Sequence, residues 1–239
     1  LLTVSNINTF YGSSHVVQHA SLSVKRGETV VLLGRNGAGK TTLLKSIMGV
    51  QPPASGEILF KGKNITGWAP ERVARLGICL IPEDRQIFAN LSVMENLQMG
   101  MLAHKKKLGW RKSLDKVFSY FPVLRERLGQ NGGSLSGGEQ QMLAIARGLV
   151  SGPELMLMDE PSEGLMPVLV DEVAQILEKL QKDGVAVLLV EQNYSMAMSL
   201  GGGPHAYILE KGRIKLHGRQ HELAARQGEL EKCLGVKLN

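Results

Sequence analysis

The chain has 239 residues, 43% of them apolar and 5% aromatic, so it can bury a full core as one large domain or a domain with a lobe. Its formal charge of +6 suits an anionic ligand or an acidic membrane surface, but the excess is modest and spread out, and no basic stretch interleaved with aromatics points to nucleic acid. Cys79 and Cys233 are too few and too far apart for a metal site or a disulfide framework, which points to reduced, cytosolic thiols.

From the N-terminus, Leu2-Thr3-Val4 and Ser21 to Val24 read as short strands. No signal peptide precedes them, and the absence of an initiating Met suggests a trimmed start. A third strand, Glu28 to Leu33, runs into Gly34-Arg35-Asn36-Gly37-Ala38-Gly39-Lys40-Thr41, which matches G-x-x-x-x-G-K-S/T at every fixed position. Thr42 to Met48 follows with apolar residues at helical spacing, completing the strand–loop–helix context that the motif requires. Glycines let the backbone wrap around phosphate oxygens, and the helix adds its positive end. The candidate phosphate-binding set is therefore Gly34, Asn36, Gly37, Ala38, Gly39, Lys40, Thr41 and Thr42. In it Lys40 reaches the β- and γ-phosphates and the Thr41 hydroxyl ligates Mg²⁺.

Further along, Ser55 to Gly62 reads as a strand between turns, Pro70 to Leu76 as a helix and Ile78 to Ile81 as a strand. From about Asp84 to Gly132 the chain becomes helical and more charged, which marks a helical lobe. Within it, Lys105-Lys106-Lys107 with Arg111 and Lys112 is either a solvated face or a contact for lipid headgroups or a partner. Helix returns at Glu139 to Val150, strand at Leu155 to Met158, helix at Val168 to Gln181 and strand at Val185 to Val190. Another helix and a hairpin near Tyr207 to Leu216 close the chain. Apolar runs such as Val185 to Val190 are of strand length, too short to span a bilayer. Alternating helices and strands argue for an α/β fold, a parallel sheet with helices on both faces.

Leu155-Met156-Leu157-Met158-Asp159-Glu160 is a buried strand ending in two carboxylates. Asp159 is placed to hold Mg²⁺ through water opposite the Lys40 loop, and Glu160 to polarise an attacking water as general base. Leu135-Ser136-Gly137-Gly138-Glu139 offers a second anion-binding geometry: a hydroxyl, open amides and a helix start, with Glu139 completing a capping box. Two phosphate-binding loops in one chain imply two nucleotides, or one nucleotide clasped between two chains.

The order phosphate loop, Ser-Gly-Gly, then Asp-Glu strand resembles the ATP-binding cassette family, over about Leu2 to Leu216. The resemblance implies a single nucleotide-binding domain over residues 1–239. That domain has a P-loop NTPase core, an N-terminal antiparallel β subdomain, and a helical subdomain of roughly 84–132 plus the helix after Ser136. It also implies two domains packed head to tail, each ATP lying between the Lys40 loop of one and Ser136, Gly137 and Gly138 of the other. Closure would drive separate membrane subunits, the chain itself sitting peripherally on the cytoplasmic face of the membrane. Tyr11 matches the aromatic that stacks on adenine, its other reading being simple packing, and Val16 or Val17 completes that pocket.

Two positions depart from the commonest pattern of the family. Ile81-Pro82-Glu83 stands where many cassettes carry Gln, and Val190-Glu191-Gln192-Asn193 where they carry a switch His. Glu83 offers a hard oxygen for Mg²⁺ or for orienting water, and Gln192 an uncharged amide donor for the γ-phosphate. Met166 also stands where an Asp usually closes the loop that crosses the dimer. Together these features resemble the branched-chain amino-acid uptake subgroup, and within it the shorter of two ATPase subunits. Gly201-Gly202-Gly203-Pro204 is unlike the usual helix-to-strand link there. Gln86, Ile87, Phe88, Asn90, Leu91 and Val93 either form the groove for a membrane subunit's helix or bury Ile87 and Phe88 within the lobe. The first reading is thus an ATPase powering import of branched-chain or related amino acids. Against it stand a non-transport cassette and a nucleotide-binding regulatory subunit with little turnover.

Overall fold

The structure, a computed structural model, describes residues 1–102, 109–201 and 203–237. Lys105-Lys106-Lys107 and Gly202 lie outside the described residues.

The chain opens with a hairpin, β1 (Leu2–Tyr11) and β2 (Ser14–Val24), followed by β3 (Thr29–Leu33) and α1 (Lys40–Met48). Then come β4 (Ser55–Phe60), β5 (Lys63–Asn64), α2 (Pro70–Ala74) and β6 (Ile78–Ile81). The helical segment holds α3 (Val93–Met101), α4 (Trp110–Tyr120), α5 (Pro122–Glu126) and α6 (Gly137–Leu149). The remainder is β7 (Leu155–Asp159), α7 (Pro167–Lys182), β8 (Ala186–Glu191), α8 (Tyr194–Ser199), β9 (His205–Glu210), β10 (Arg213–Arg219), α9 (Gln220–Ala224) and α10 (Gln227–Leu234).

The strands form two sheets. One is antiparallel, in the order β2-β1-β4-β5; the other is six-stranded, in the order β10-β9-β3-β8-β7-β6, and parallel except for its β10 edge. Strands β3, β7 and β8 are buried on both faces, which is why they read as unbroken apolar runs. Val31, Leu33, Met156, Met158, Val187 and Leu189 face a core shared with the helices. Val30, Leu32, Leu155, Leu157, Leu188 and Val190 face a second core, beneath the antiparallel sheet.

The α/β class, the antiparallel β unit and the helical lobe are all observed. The first hairpin is much longer than its sequence suggests. Asn6 and His19 adopt left-handed backbone (φ of +51° and +52°), and the β1–β2 register shifts between Val4 and Ile7. The Ser21 hydroxyl accepts from Asn6 N–H at 2.8 Å and the Asn8 side chain from His19 N–H at 3.0 Å, so polar residues continue the pairing where alternation fails. Helices α9 and α10, unanticipated in the sequence, follow the terminal hairpin and bury little beyond Leu223, Leu230 and Leu234. Gly201, at the unusual link, donates its N–H to the Glu178 carboxylate of α7 at 3.0 Å.

Candidate active site

The site lies at the C-terminal ends of the parallel strands. After β3 the chain turns tightly enough that a Cβ on Gly34 would collide with the Leu209 carbonyl of β9. Gly37 and Gly39 then take positive φ, +76° and +105°, and Gly39 caps α1 in the left-handed region. The loop amides and the N-terminus of α1 thus converge, the geometry that binds phosphate. The Lys40 ammonium is almost wholly buried: it donates to the Gly34 and Arg35 carbonyls at 2.9 and 3.1 Å and pairs with the Glu160 carboxylate at 3.0 Å. A cavity of about 310 Å³ beside it is lined by Val16, Asn36, Gly37, Thr41, Glu83 and Glu160, among others.

Asp159 ends β7 at 3% exposure. Burial pushes its carboxyl up to about 6, the negative charges of Glu160 and Glu83 add to that, and the Thr41 hydroxyl and Lys40 oppose it. Its Oδ1 is buried without a hydrogen-bond partner. Such an atom beside a threonine hydroxyl fits the donor set of a hard cation, so Thr41, Asp159 and Glu83 suit Mg²⁺. Among the described residues no group of three or more His, Cys, Asp or Glu side chains is arranged to hold a metal.

Glu160 follows in the left-handed region, at φ +45°, a strained conformation for a side-chain-bearing residue. Its N–H is tied to the Val190 carbonyl at 2.9 Å. Partial burial and the neighbouring Glu160 and Glu83 carboxylates raise the pKa of the Glu163 carboxyl. Gln192 is exposed in the loop after β8.

The structure therefore brings together the phosphate loop, Thr41, Asp159, Glu160 and Glu83. Tyr11 stands exposed at the end of β1, and Val16, not Val17, lines the cavity; Val17 is fully buried in the second core. Ser136, Gly137 and Gly138 do not line this cavity. Ser136 caps α6, accepting from Glu139 N–H at 3.3 Å while its own N–H donates to the Glu139 carboxylate at 2.9 Å. Gly137 is exposed, whereas Gly138 is buried where a Cβ would push against the Leu169 side chain of α7. Sequence reasoning passed over Glu163 and Glu191 as site residues, because their partners come from other segments.

The family model described as ABC transporter matches residues 17–163, which hold the phosphate loop, Ser136 and the Asp159–Glu160 pair. The chain belongs to the ABC transporter family. It is 44% identical over 217 residues to the high-affinity branched-chain amino acid transport ATP-binding protein BraG of Pseudomonas aeruginosa, covering 91% of this chain and 92% of that protein. A probable branched-chain amino acid transport ATP-binding protein, LivF of Archaeoglobus fulgidus, is 33% identical over 99% of both chains. Among solved structures, the ATP-binding subunit of an ABC transporter superposes with a TM-score of 0.85 at 27% identity, covering 98% of this cassette and 99% of that chain. The cassette is accordingly an ATPase of transporter type. Among the described residues no helix is long and apolar enough to cross a membrane.

Proposed function

We propose that this cassette binds MgATP between two such domains and powers uptake of branched-chain or related amino acids through separate membrane subunits, from the cytoplasmic face of the membrane. The observation that carries this reading is the convergence of Lys40, Thr41, Glu83 and Glu160 on one cavity, with Asp159 hydrogen-bonded by the Thr41 hydroxyl beside it. The BraG and LivF likenesses support the amino-acid cargo.

In this reading Tyr11 and Val16 hold the adenine, and the amides of Asn36 to Thr42 cradle the phosphates. The Lys40 ammonium exchanges the Gly34 and Arg35 carbonyls and the Glu160 carboxylate for β- and γ-phosphate oxygens, which frees Glu160 to take the proton of the attacking water. Thr41, Asp159 and Glu83 would hold Mg²⁺, which would supply charge neutralisation to the phosphates when bound. The Gln192 amide donates to the γ-phosphate without adding charge. Ser136 and the exposed Gly137 amide, presented by a second domain, close the site; their position away from the Lys40 cavity supports that division of labour.

A groove of about 450 Å³ is the surface suited to a membrane subunit's cytoplasmic helix. Exposed Phe88, Met99 and Val50 rim it, Cys79 and Gly148 line it, and Arg147 stacks at 5.3 Å from the Phe88 ring centroid. Of the other residues foreseen there, Gln86 lines the groove, while Ile87 and Val93 pack into the helical core. The docking surface is thus Phe88 and its neighbours across α3 and α6, not the whole 86–93 segment.

Steady-state phosphate release from the purified cassette, alone and with its membrane subunits, tests the reading. Glu160→Gln should lower turnover by on the order of 10²-fold or more and trap ATP in a closed dimer. A variant hydrolysing at the parental rate removes Glu160 as the base, and a parent that binds ATP without turnover makes the chain a regulatory subunit.

A further inference from the structure

Glu191, the last residue of β8, is a carboxylate with 2% exposure, held by neutral hydrogen-bond donors from Ser162, Gln192 and Asn193. Its Oε1 accepts from the Ser162 hydroxyl at 2.7 Å and the Ser162 N–H at 3.3 Å. Its Oε2 accepts from the N–H groups of Gln192 and Asn193 at 3.2 and 3.4 Å. One side chain thus joins two loops that are remote in sequence. The first leaves β7 through Glu160 and runs on as Pro161, Ser162 and Glu163; the second carries Gln192. Glu160 is itself tied to the adjacent residue of β8, through its N–H and the Val190 carbonyl. Its left-handed backbone is therefore held at two points, one on each side of Pro161. A buried carboxylate is costly to keep, and an apolar residue would suit this strand end better unless the four hydrogen bonds are needed.

We propose that Glu191 is a positioning residue for hydrolysis: its carboxylate straps the loop after Glu160 to the Gln192 loop, so that the base and the γ-phosphate donor are set as one unit. The inference rests on the function proposed above. Glu191 does not line the Lys40 cavity; it acts through Ser162 and through the backbone of Gln192. Because the phosphate loop and Tyr11 are untouched by this strap, its loss slows chemistry without weakening ATP binding.

The test is kcat and KM for ATP in the cassette assembled with its membrane subunits, together with equilibrium binding of a fluorescent ATP analogue. Glu191→Leu should lower kcat tenfold or more, with nucleotide affinity within twofold of the parent. Glu191→Gln should recover most of the loss, since its amide oxygen accepts the Gln192 and Asn193 N–H groups while its NH₂ donates to the Ser162 hydroxyl, and only the long Ser162 N–H contact is given up. Ser162→Ala should lower kcat severalfold and cost nothing further in the Glu191→Leu background. If Glu191→Leu fails to fold, Ser162→Ala decides alone. A parental kcat in either variant, or nucleotide affinity falling in step with kcat, overturns the inference. So does a Gln variant as slow as the Leu variant, because charge rather than the strap would then be at work. A parent that releases no phosphate overturns both this inference and the proposed function; a parent that turns over beside insensitive variants overturns this inference alone.

Discussion

Asp159 keeps its charge at neutral pH against burial and two neighbouring carboxylates. Its folded pKa of about 6 lies above the ordinary aspartate value, so between those two values the folded state binds the extra proton. The sign follows: this group costs stability above about pH 6, and the cost fades as pH falls towards 4. The shift corresponds to about 3 kcal/mol. Asp159→Asn should therefore raise the Tm of the metal-free protein by several degrees at pH 7.5, with the gap closing at pH 4.5, while removing Mg²⁺-dependent turnover. Thermal scans at the two pH values, with and without Mg²⁺, check both parts. The two thiols also separate. Burial pushes Cys79 up to about 12, so at pH 8 a thiol-alkylating reagent should label Cys233 well before it, as peptide mass mapping would show. Lys40, Thr41, Asp159 and Glu160 were legible in the sequence because each is fixed by covalent spacing to a strand end. Glu191 was not, since Ser162, its partner, lies 29 residues away and only the folded sheet brings the two together.

The parallel strands and the helices that flank them declared themselves through apolar periodicity, and α6 also through Ser136, which caps it with a glutamate three residues on; α9 and α10 did not. The β1–β2 hairpin did not, because the bulges at Asn6 and His19 break alternation and hand the pairing to side chains. The crossing of α3 over α6 was equally invisible. There Gly100 lies so close to the Arg147 carbonyl that an added Cβ would collide with it, and would stand 2.8 Å from a Val150 methyl. Gly100→Ala should destabilise the domain by about 1–3 kcal/mol. Gly137→Ala, whose Cβ would meet only the mobile end of Arg85 at 3.3 Å, should leave stability nearly unchanged. Denaturant titration of the two variants distinguishes a close helix crossing from an exposed loop position.

At the level of the whole molecule, the loop after β6 links the groove beside Phe88 to the cavity beside Lys40, since its Gln86 lines the first and its Glu83 the second. Phe88→Asp should abolish solute uptake in reconstituted vesicles and leave phosphate release by the isolated cassette within about twofold of the parent, as expected of an interface anchor. Equal loss of both activities would place Phe88 in the core of the lobe instead.

β3 carries a consequence of its own. Its residues belong alternately to the two cores, Val31 and Leu33 to one and Val30 and Leu32 to the other. Neither half of the molecule can loosen without dragging on this strand, so the amide protons of Val30 to Leu33 should exchange with deuterium only through global opening. The loop that carries Lys40 is hung from a strand anchored on both sides, so its root should stay fixed while the Lys40 side chain changes partners.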